Sequence, residues 1–64
     1  MAKDYYQELT ALLYAAGWRR VSNAKGSHEK WRHGDYSHSV IVARSKSRHT
    51  ANETLKQAGL PKAF

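Results

Sequence analysis

Apolar positions near the start of the chain repeat at the spacing of an amphipathic helix. The apolar side chains that share this helical face are Tyr5, Leu9, Leu12, Leu13 and Ala16. We expect Asp4 to be the N-cap, because its carboxylate would lie near the positive end of the helix dipole. Gly17 stands where a helix commonly ends in a left-handed residue. The pattern therefore predicts a helix over residues 4–16.

The next two stretches have the residue types and alternation of β-strands. Residues 18–23 predict a short strand, because Trp18 and Val21 favour β-structure. Residues 27–33 predict a second strand whose side chains alternate between two faces. One face carries Glu29, Trp31 and His33, and the other carries His28, Lys30 and Arg32. Between the strands, Gly26 is the residue best able to take the positive φ of a tight turn.

A third strand is predicted over residues 36–43, in which Val40-Ile41-Val42 is the most strongly β-forming part. Gly34-Asp35 predicts a two-residue hairpin turn before it. The residue pairs that follow from this turn are His33–Tyr36, Trp31–His38 and His28–Ile41. The basic face of the second strand would then be wet, and the Trp31 face would carry the helices. Glu29 is a misfit on that apolar face.

A second amphipathic helix is predicted near the end of the chain. Thr50 and Glu53 match a capping box, in which Thr50 is the N-cap and Glu53 follows three residues later. The narrow stripe on this helix comprises Ala51, Thr54, Leu55 and Ala58. Gly59 would end the helix, and Pro61 would prevent its return.

The predicted order is helix, three antiparallel strands, helix, in one domain over residues 1–64. Two helices on one face of a three-stranded sheet make an α+β sandwich whose other sheet face is exposed. Domains that bind double-stranded RNA share this α-β-β-β-α topology, although the order of elements alone does not establish function.

The charge balance points beyond a generic small domain to a polyanionic partner. Eleven Lys and Arg against five Asp and Glu give a net charge of +6 on 64 residues. Such an excess favours nucleic acid as the partner. A solvated surface that keeps a small protein soluble, or an acidic protein partner, would also account for it.

The cellular compartment is indicated by what the composition lacks. The chain contains no cysteine, so it has no disulfide and no thiolate site, and a reducing cytoplasm is the expected compartment. The sequence has neither an apolar run long enough to span a membrane nor the pattern of a signal peptide. We therefore expect a soluble cytoplasmic protein that does not bind a membrane.

The candidate chemistry lies at Lys25-Gly26-Ser27-His28, where a flexible pair precedes a histidine at the head of the second strand. His28 shares its strand face with Lys30 and Arg32. Cleavage of an RNA phosphodiester needs a base for the 2′-hydroxyl proton and positive charge on the developing phosphorane, and an acid for the leaving oxygen speeds it further. Histidine suits proton transfer because it changes protonation state near neutral pH, and nearby cations supply the electrostatic part. Neither a metal nor another cofactor is required.

Two other interpretations of the histidines stay open. A single histidine in a basic protein is often an incidental surface residue. The four histidines could in principle bind zinc, but the predicted pairing sets His28 on the opposite face from His33 and His38. His49 lies in a distant loop, so we expect no metal site.

Three runs of residues together resemble the HicA toxins of bacterial toxin–antitoxin pairs. They are Ala16-Gly17-Trp18-Arg19-Arg20, Lys25-Gly26-Ser27-His28-Glu29-Lys30-Trp31 and Leu55-Lys56-Gln57-Ala58-Gly59-Leu60. The resemblance spans nearly the whole chain. It implies a ribosome-independent mRNA endonuclease with a double-stranded-RNA-binding-like fold, and a cognate antitoxin, HicB, that blocks the toxin. The family's catalytic histidine falls on His28 and its motif glycine on Gly26. Family members often carry a histidine or an apolar residue where this chain has Glu29, so the second proton-transfer group stays open.

The first hypothesis is therefore an endoribonuclease that needs no metal, in which His28 is the general acid or base. The expected RNA contacts are Lys25, Gly26, Ser27, Lys30, Arg32 and Arg20. The expected partners are an mRNA substrate and a HicB-like antitoxin that covers the active site. A second hypothesis is a non-catalytic RNA-binding module that uses the same basic face, and a third is an interaction domain for an acidic protein.

Overall fold

The computed structural model describes residues 4–25, 28–44 and 46–64, with the backbone alone for Ala24 and Lys25. The elements are α1 (Tyr6–Ala15), β1 (Arg19–Lys25), β2 (His28–Arg32), β3 (Val40–Val42) and α2 (Arg48–Gln57). The strands form one antiparallel sheet in the order β1-β2-β3. This arrangement confirms the predicted α-β-β-β-α layout and the α+β class. The turn predicted at Gly26 lies outside the described residues.

Helix α1 begins at Tyr6, and its N-cap is Tyr5, whose side chain makes no capping hydrogen bond. The prediction of Asp4 as the N-cap is therefore wrong. Asp4 still supports the start of the helix, because its Oδ1 accepts a hydrogen bond from the Tyr6 N–H at 3.1 Å. The predicted end of the helix is confirmed, since Gly17 has a φ of 102° directly after the C-cap.

The apolar stripe of α1 is narrower than its sequence suggests. Leu9 and Leu13, one turn apart, are buried, whereas Leu12 is 40% exposed. Neighbouring helical residues point in different directions, so Leu12 lies at the margin of the face that Leu9 and Leu13 bury. The prediction that Leu12 belongs to the apolar stripe with Leu9 and Leu13 is therefore wrong.

Strand β2 is the central strand, and its predicted alternation is confirmed. On the helix side Trp31 is buried and Glu29 is half-buried, while the alternate residues of β2 are exposed on the other side. The exposed residues of β2 are His28, Lys30 and Arg32. As predicted, the helices cover the Trp31 face and leave the other face open.

The predicted register between β2 and β3 is wrong by two residues. The observed pairs are Glu29–Val42, Lys30–Ile41 and Trp31–Val40. The predicted pairs Trp31–His38 and His28–Ile41 do not form. A shift of two keeps every side chain on its predicted face, because the side-chain period of a strand is two.

The register shifts because residues 33–39 form a loop instead of a tight hairpin. A turn at Gly34-Asp35 is present, and the Tyr36 N–H closes it by donating to the His33 carbonyl oxygen at 3.1 Å. The strand does not resume directly after this turn. Strand β3 therefore covers only Val40–Val42 rather than the predicted residues 36–43.

This loop holds the C-terminal ends of both helices. The His33 ring accepts a hydrogen bond at Nδ1 from the Asp35 N–H (2.9 Å), so the neutral ring carries its proton on Nε2 and donates it to the Ala16 carbonyl oxygen (3.0 Å). The His38 Nε2 lies 2.8 Å from the carbonyl oxygen of Gln57, the last residue of α2. The last carbonyls of a helix have no partner within the helix. These hydrogen bonds to the helix ends therefore compensate for the backbone hydrogen bonds that a longer β2–β3 hairpin would form.

The loop over residues 33–39 packs against the side chain of Trp18. Its ring centroid lies 5.4, 5.1 and 5.9 Å from the rings of His33, Tyr36 and His38, respectively. Trp18 is fully buried and Trp31 nearly so. Neither tryptophan is therefore available to stack on a nucleobase of RNA.

Helix α2 begins one turn earlier than its sequence suggests. Ser47 is the N-cap, and its Oγ accepts a hydrogen bond from the Thr50 N–H at 3.3 Å. The predicted capping box of Thr50 and Glu53 is therefore wrong, because the earlier hydroxyl captures the free N–H and extends the helix. The predicted buried stripe of Ala51, Thr54, Leu55 and Ala58 is confirmed. Gly59 ends the helix with a φ of 75°.

The core lies between the two helices and the inner face of the sheet. Its buried apolar members are Leu9, Leu13, Trp18, Trp31, Val40, Val42, Ala51, Leu55 and Ala58. Neither α1 nor α2 is long and apolar enough to cross a membrane.

We expect Gly17→Ala to destabilise the protein. A Cβ at this position would lie 2.6 Å from His33 Nε2, and the φ of 102° is one that residues with side chains rarely adopt. The free energy of unfolding should fall by at least about 1–2 kcal/mol, the cost of a left-handed residue. Urea unfolding measures this change. Gly34→Ala is the matched control, because a Cβ there meets nothing within 4 Å; two equally stable variants would disprove the close-approach argument.

Candidate nucleic-acid interface

The open face of the sheet gathers the histidine and two of the predicted RNA contacts. His28, Lys30 and Arg32 alternate along this face of β2, and all three are exposed. Lys30 lies opposite Ser22 on β1 and Ile41 on β3. We call the surface formed by His28, Lys30, Arg32 and Ile41 the open face.

His28 is the first residue of β2 and pairs with Lys25 at the end of the β1–β2 ladder. Among residues 4–25, 28–44 and 46–64, its imidazole has no hydrogen-bond or ion-pair partner. Within that part of the chain, both ring nitrogens are left without a partner. The predicted contacts Gly26 and Ser27, with the side chain of Lys25, lie outside what the structure describes.

Arg32 occupies the other end of the open face. Its Nη1 donates to the Ser39 Oγ at 3.2 Å, which holds the guanidinium beside the residue that precedes β3. Arginine has five N–H donors, so most of them remain for an anion. Lys30 lies between Arg32 and His28 along the strand, and the three side chains form one row.

Arg20 lies on the opposite face from this row. It pairs with Trp31 across the β1–β2 ladder, and its Nη1 lies 3.6 Å from the Glu29 Oε2. Its side chain is 57% exposed at the β1 edge of the sheet. The structure thus does not bring Arg20 together with His28.

Arg19 also has a structural contact that its sequence does not indicate. Its guanidinium stacks on the Tyr14 ring at 3.6 Å. The Arg19 Nη1 donates to the carbonyl oxygens of Tyr14 (3.0 Å) and Trp18 (2.8 Å), so this cation joins the last turn of α1 to the segment that leads into β1.

Glu29, the misfit of the sequence pattern, is the polar centre of the helix side. Its Oε2 accepts a hydrogen bond from the Tyr6 hydroxyl at 2.6 Å, and its Oε1 accepts one from the Trp31 Nε1 at 3.0 Å. With the Arg20 ion pair, these contacts satisfy a side chain that is only 12% exposed. Two signals in the sequence point to this role: an indole N–H two residues away on the same strand face, and a tyrosine in the first turn of α1.

The surroundings of Glu29 favour its charged form. Burial by itself raises the pKa of this carboxyl, but the hydrogen bonds from Tyr6 and Trp31 and the charges of Arg20 and Arg44 together hold it below its ordinary value. The same hydrogen bond to Glu29, with burial, raises the pKa of the Tyr6 hydroxyl. Arg44 lies 4.0 Å above the Tyr6 ring and 3.7 Å from the Asp4 Oδ2.

The remaining histidines are placed by the fold rather than gathered into a site. His33 and His38 contact helix carbonyls, and His49 is exposed on α2. In the three described stretches of the chain, no group of three or more His, Cys, Asp and Glu side chains could hold a metal ion.

The fold and the open face define a small, basic α+β protein that presents one histidine among cations. The sequence profile described as the HicA toxin of bacterial toxin–antitoxin systems matches residues 6–60 of the 64. The chain therefore belongs to the HicA toxin family and is the toxin of a toxin–antitoxin system. Searches of curated proteins and of solved structures find no match.

We expect Glu29→Gln to lower stability most at neutral pH. The pKa of Glu29 in the folded protein lies below its ordinary value, so the charged carboxylate stabilises the fold. This contribution is complete at pH values above the ordinary pKa and is lost as the pH falls through the folded-state pKa. The variant should lose on the order of 1 kcal/mol at neutral pH, since hydrogen bonds to charged groups contribute about 1.5–3 kcal/mol. Urea unfolding at neutral and acidic pH measures the difference between the two proteins.

Glu53→Gln, at an exposed position of α2, is the matched control for this charge change. It should leave stability nearly unchanged at both pH values. A Glu29→Gln deficit that is the same at acidic as at neutral pH would contradict the electrostatic account.

Proposed function

We propose that this HicA-family toxin is an endoribonuclease that cleaves mRNA, with His28 as the proton-transfer group. The observation that carries the proposal is the position of His28: exposed, unpartnered in the described part of the chain, and in one row with Lys30 and Arg32. The family match covers this stretch of the sequence.

The reaction that suits this arrangement is an internal transesterification of RNA. A base removes the proton of a 2′-hydroxyl, and that oxygen attacks the adjacent phosphorus. The bond from phosphorus to the 5′-oxygen breaks, which leaves a 2′,3′-cyclic phosphate and a 5′-hydroxyl end once the leaving oxygen is protonated. Imidazole is the side chain most often used as a general acid or base, and His28 supplies one on this face. No metal or cofactor is needed for these steps.

Positive charge on the open face would stabilise the phosphorane as its charge develops. Lys30 and Arg32 project from the same side of β2 as His28, and Arg32 keeps free donors beyond its bond to Ser39. Lys25, Gly26 and Ser27, which precede His28 in the sequence, are the further RNA contacts of this proposal. Arg20 is a peripheral contact in this proposal, because it reaches solvent at the β1 edge on the other side.

A non-catalytic RNA-binding module is the alternative, and one observation favours it. Within the described residues, no second acid or base contacts the His28 ring. Such a module would bind RNA in a salt-sensitive way through Lys30 and Arg32, and would depend little on His28.

We expect His28→Ala to slow RNA cleavage strongly while leaving the fold intact. General acid–base catalysis contributes about 10²–10⁴-fold to rates, so single-turnover cleavage of labelled RNA should slow by that order. EDTA should leave the wild-type rate unchanged. His49→Ala is the matched control, because His49 is a second exposed histidine away from the open face. Cleavage by His28→Ala at the wild-type rate would refute the catalytic role, and RNA binding without any cleavage by wild type would support the alternative.

Membership of a toxin–antitoxin family implies an antitoxin partner. We propose that this partner is HicB-like and acts in the cytoplasm, where it covers His28 and the open face. The net charge of +6 supports an acidic partner, which would be steered to the cationic surface.

We expect Lys30→Glu to weaken the complex with the cognate antitoxin, because the introduced carboxylate would face an acidic partner. Titration calorimetry at low and physiological salt measures the loss. Arg48→Glu makes the same charge change on α2, on the helix side, and should have a smaller effect. Equal losses for the two variants would show that the antitoxin does not cover the open face.

A further inference from the structure

One residue of the open face has no role in the chemistry proposed above. Ile41 is the middle residue of β3, and its side chain is 43% exposed between the fully buried Val40 and Val42. The covered side of the sheet holds the apolar core, so the alternation of β3 directs Ile41 outward. An aliphatic side chain therefore lies on the same face of the sheet as the cations of β2.

The pairing of the strands places Ile41 on the edge strand β3, beside the middle of the row formed by His28, Lys30 and Arg32. It lies directly opposite Lys30, where facing Cβ atoms are about 4.5–5.5 Å apart. His28 and Arg32 are its diagonal neighbours on β2, at about 7–8 Å. A ligand that rests on Ile41 thus has the imidazole on one side and the guanidinium on the other.

We propose that Ile41 is a base-contacting residue: a nucleobase of single-stranded RNA lies on its side chain while Lys30 and Arg32 bind the flanking phosphates. This assignment rests on the proposed RNA substrate and adds which strand form binds and where. The ligand must offer an apolar face and negative charge side by side, and an unpaired nucleotide offers both. A base on Ile41 would leave the neighbouring phosphodiester beside His28.

Duplex RNA fits this surface less well than a single strand. In a duplex the base faces are stacked inside the helix, and proteins read it by shape and by contacts to phosphates and 2′-hydroxyls. An open sheet face that carries an exposed aliphatic side chain gains from bases that can be splayed out onto it. The contact is aliphatic and makes no hydrogen bonds to base edges, so it should tolerate any base.

The test measures binding of RNA that the protein cannot cleave. The probes are a 2′-O-methylated single strand and the duplex made from it, because a blocked 2′-oxygen cannot attack the phosphorus. Fluorescence anisotropy gives Kd for wild type, Ile41→Thr and Leu12→Gln. Threonine keeps the β-branch that suits a strand. Leu12 is the matched control, because it is 40% exposed on α1, away from the open face.

We expect the single strand to bind more tightly than the duplex. Ile41→Thr should weaken binding of the single strand about three- to tenfold, which is what burying the exposed part of one isoleucine side chain is worth. Leu12→Gln should bind like wild type. Unchanged binding by Ile41→Thr, or a duplex bound as tightly as the single strand, would overturn the assignment.

Two further outcomes separate this inference from the proposed function. Ile41-dependent binding of the single strand, together with no cleavage of unmodified RNA by wild type, would support the base contact and refute the nuclease. A wild-type protein that binds neither probe, but whose antitoxin complex is weakened by Ile41→Thr, would overturn the base contact and assign Ile41 to a protein interface.

Discussion

The structure depends on one constraint, namely that β2 is the central strand of a sheet covered on one face only. Both edges of β2 are paired, with β1 and with β3, so its side chains have only two directions in which to point. Trp31 points into the core, which leaves His28 and Lys30 in water on the opposite side. The strand that anchors the sheet therefore also presents the candidate active-site histidine.

Polar contacts on the covered side hold this strand to the helices. Glu29 joins β2 to α1 through the Tyr6 hydroxyl and is further fixed by the Trp31 indole and the Arg20 guanidinium. A charge at a largely buried position is tolerated only when its hydrogen bonds are satisfied, and here they are. In a core this small, such contacts both orient β2 relative to α1 and stabilise the packing between them.

Five of the eleven basic residues fall into two groups with different contacts. Arg19, Arg20 and Arg44 lie against tyrosine rings, helix carbonyls or carboxylates, where they support the packing of α1 on the sheet. Lys30 and Arg32 project into solvent beside His28. The net charge of the chain does not distinguish these groups, because each arginine meets its aromatic or carboxylate partner only in the folded structure.

Local pattern determined the element order, the two-faced alternation of β2, the helix ends at Gly17 and Gly59, and the resemblance that the family match confirms. These features depend on residues near one another in the chain, and a two-residue error of register left each β3 side chain on its predicted face. The tertiary structure decided the rest: the loop at residues 33–39, the partners of Glu29, and the side of the sheet on which Arg20 lies. Each depends on a contact between segments far apart in sequence, such as His38 with the end of α2, whose energy no local pattern contains.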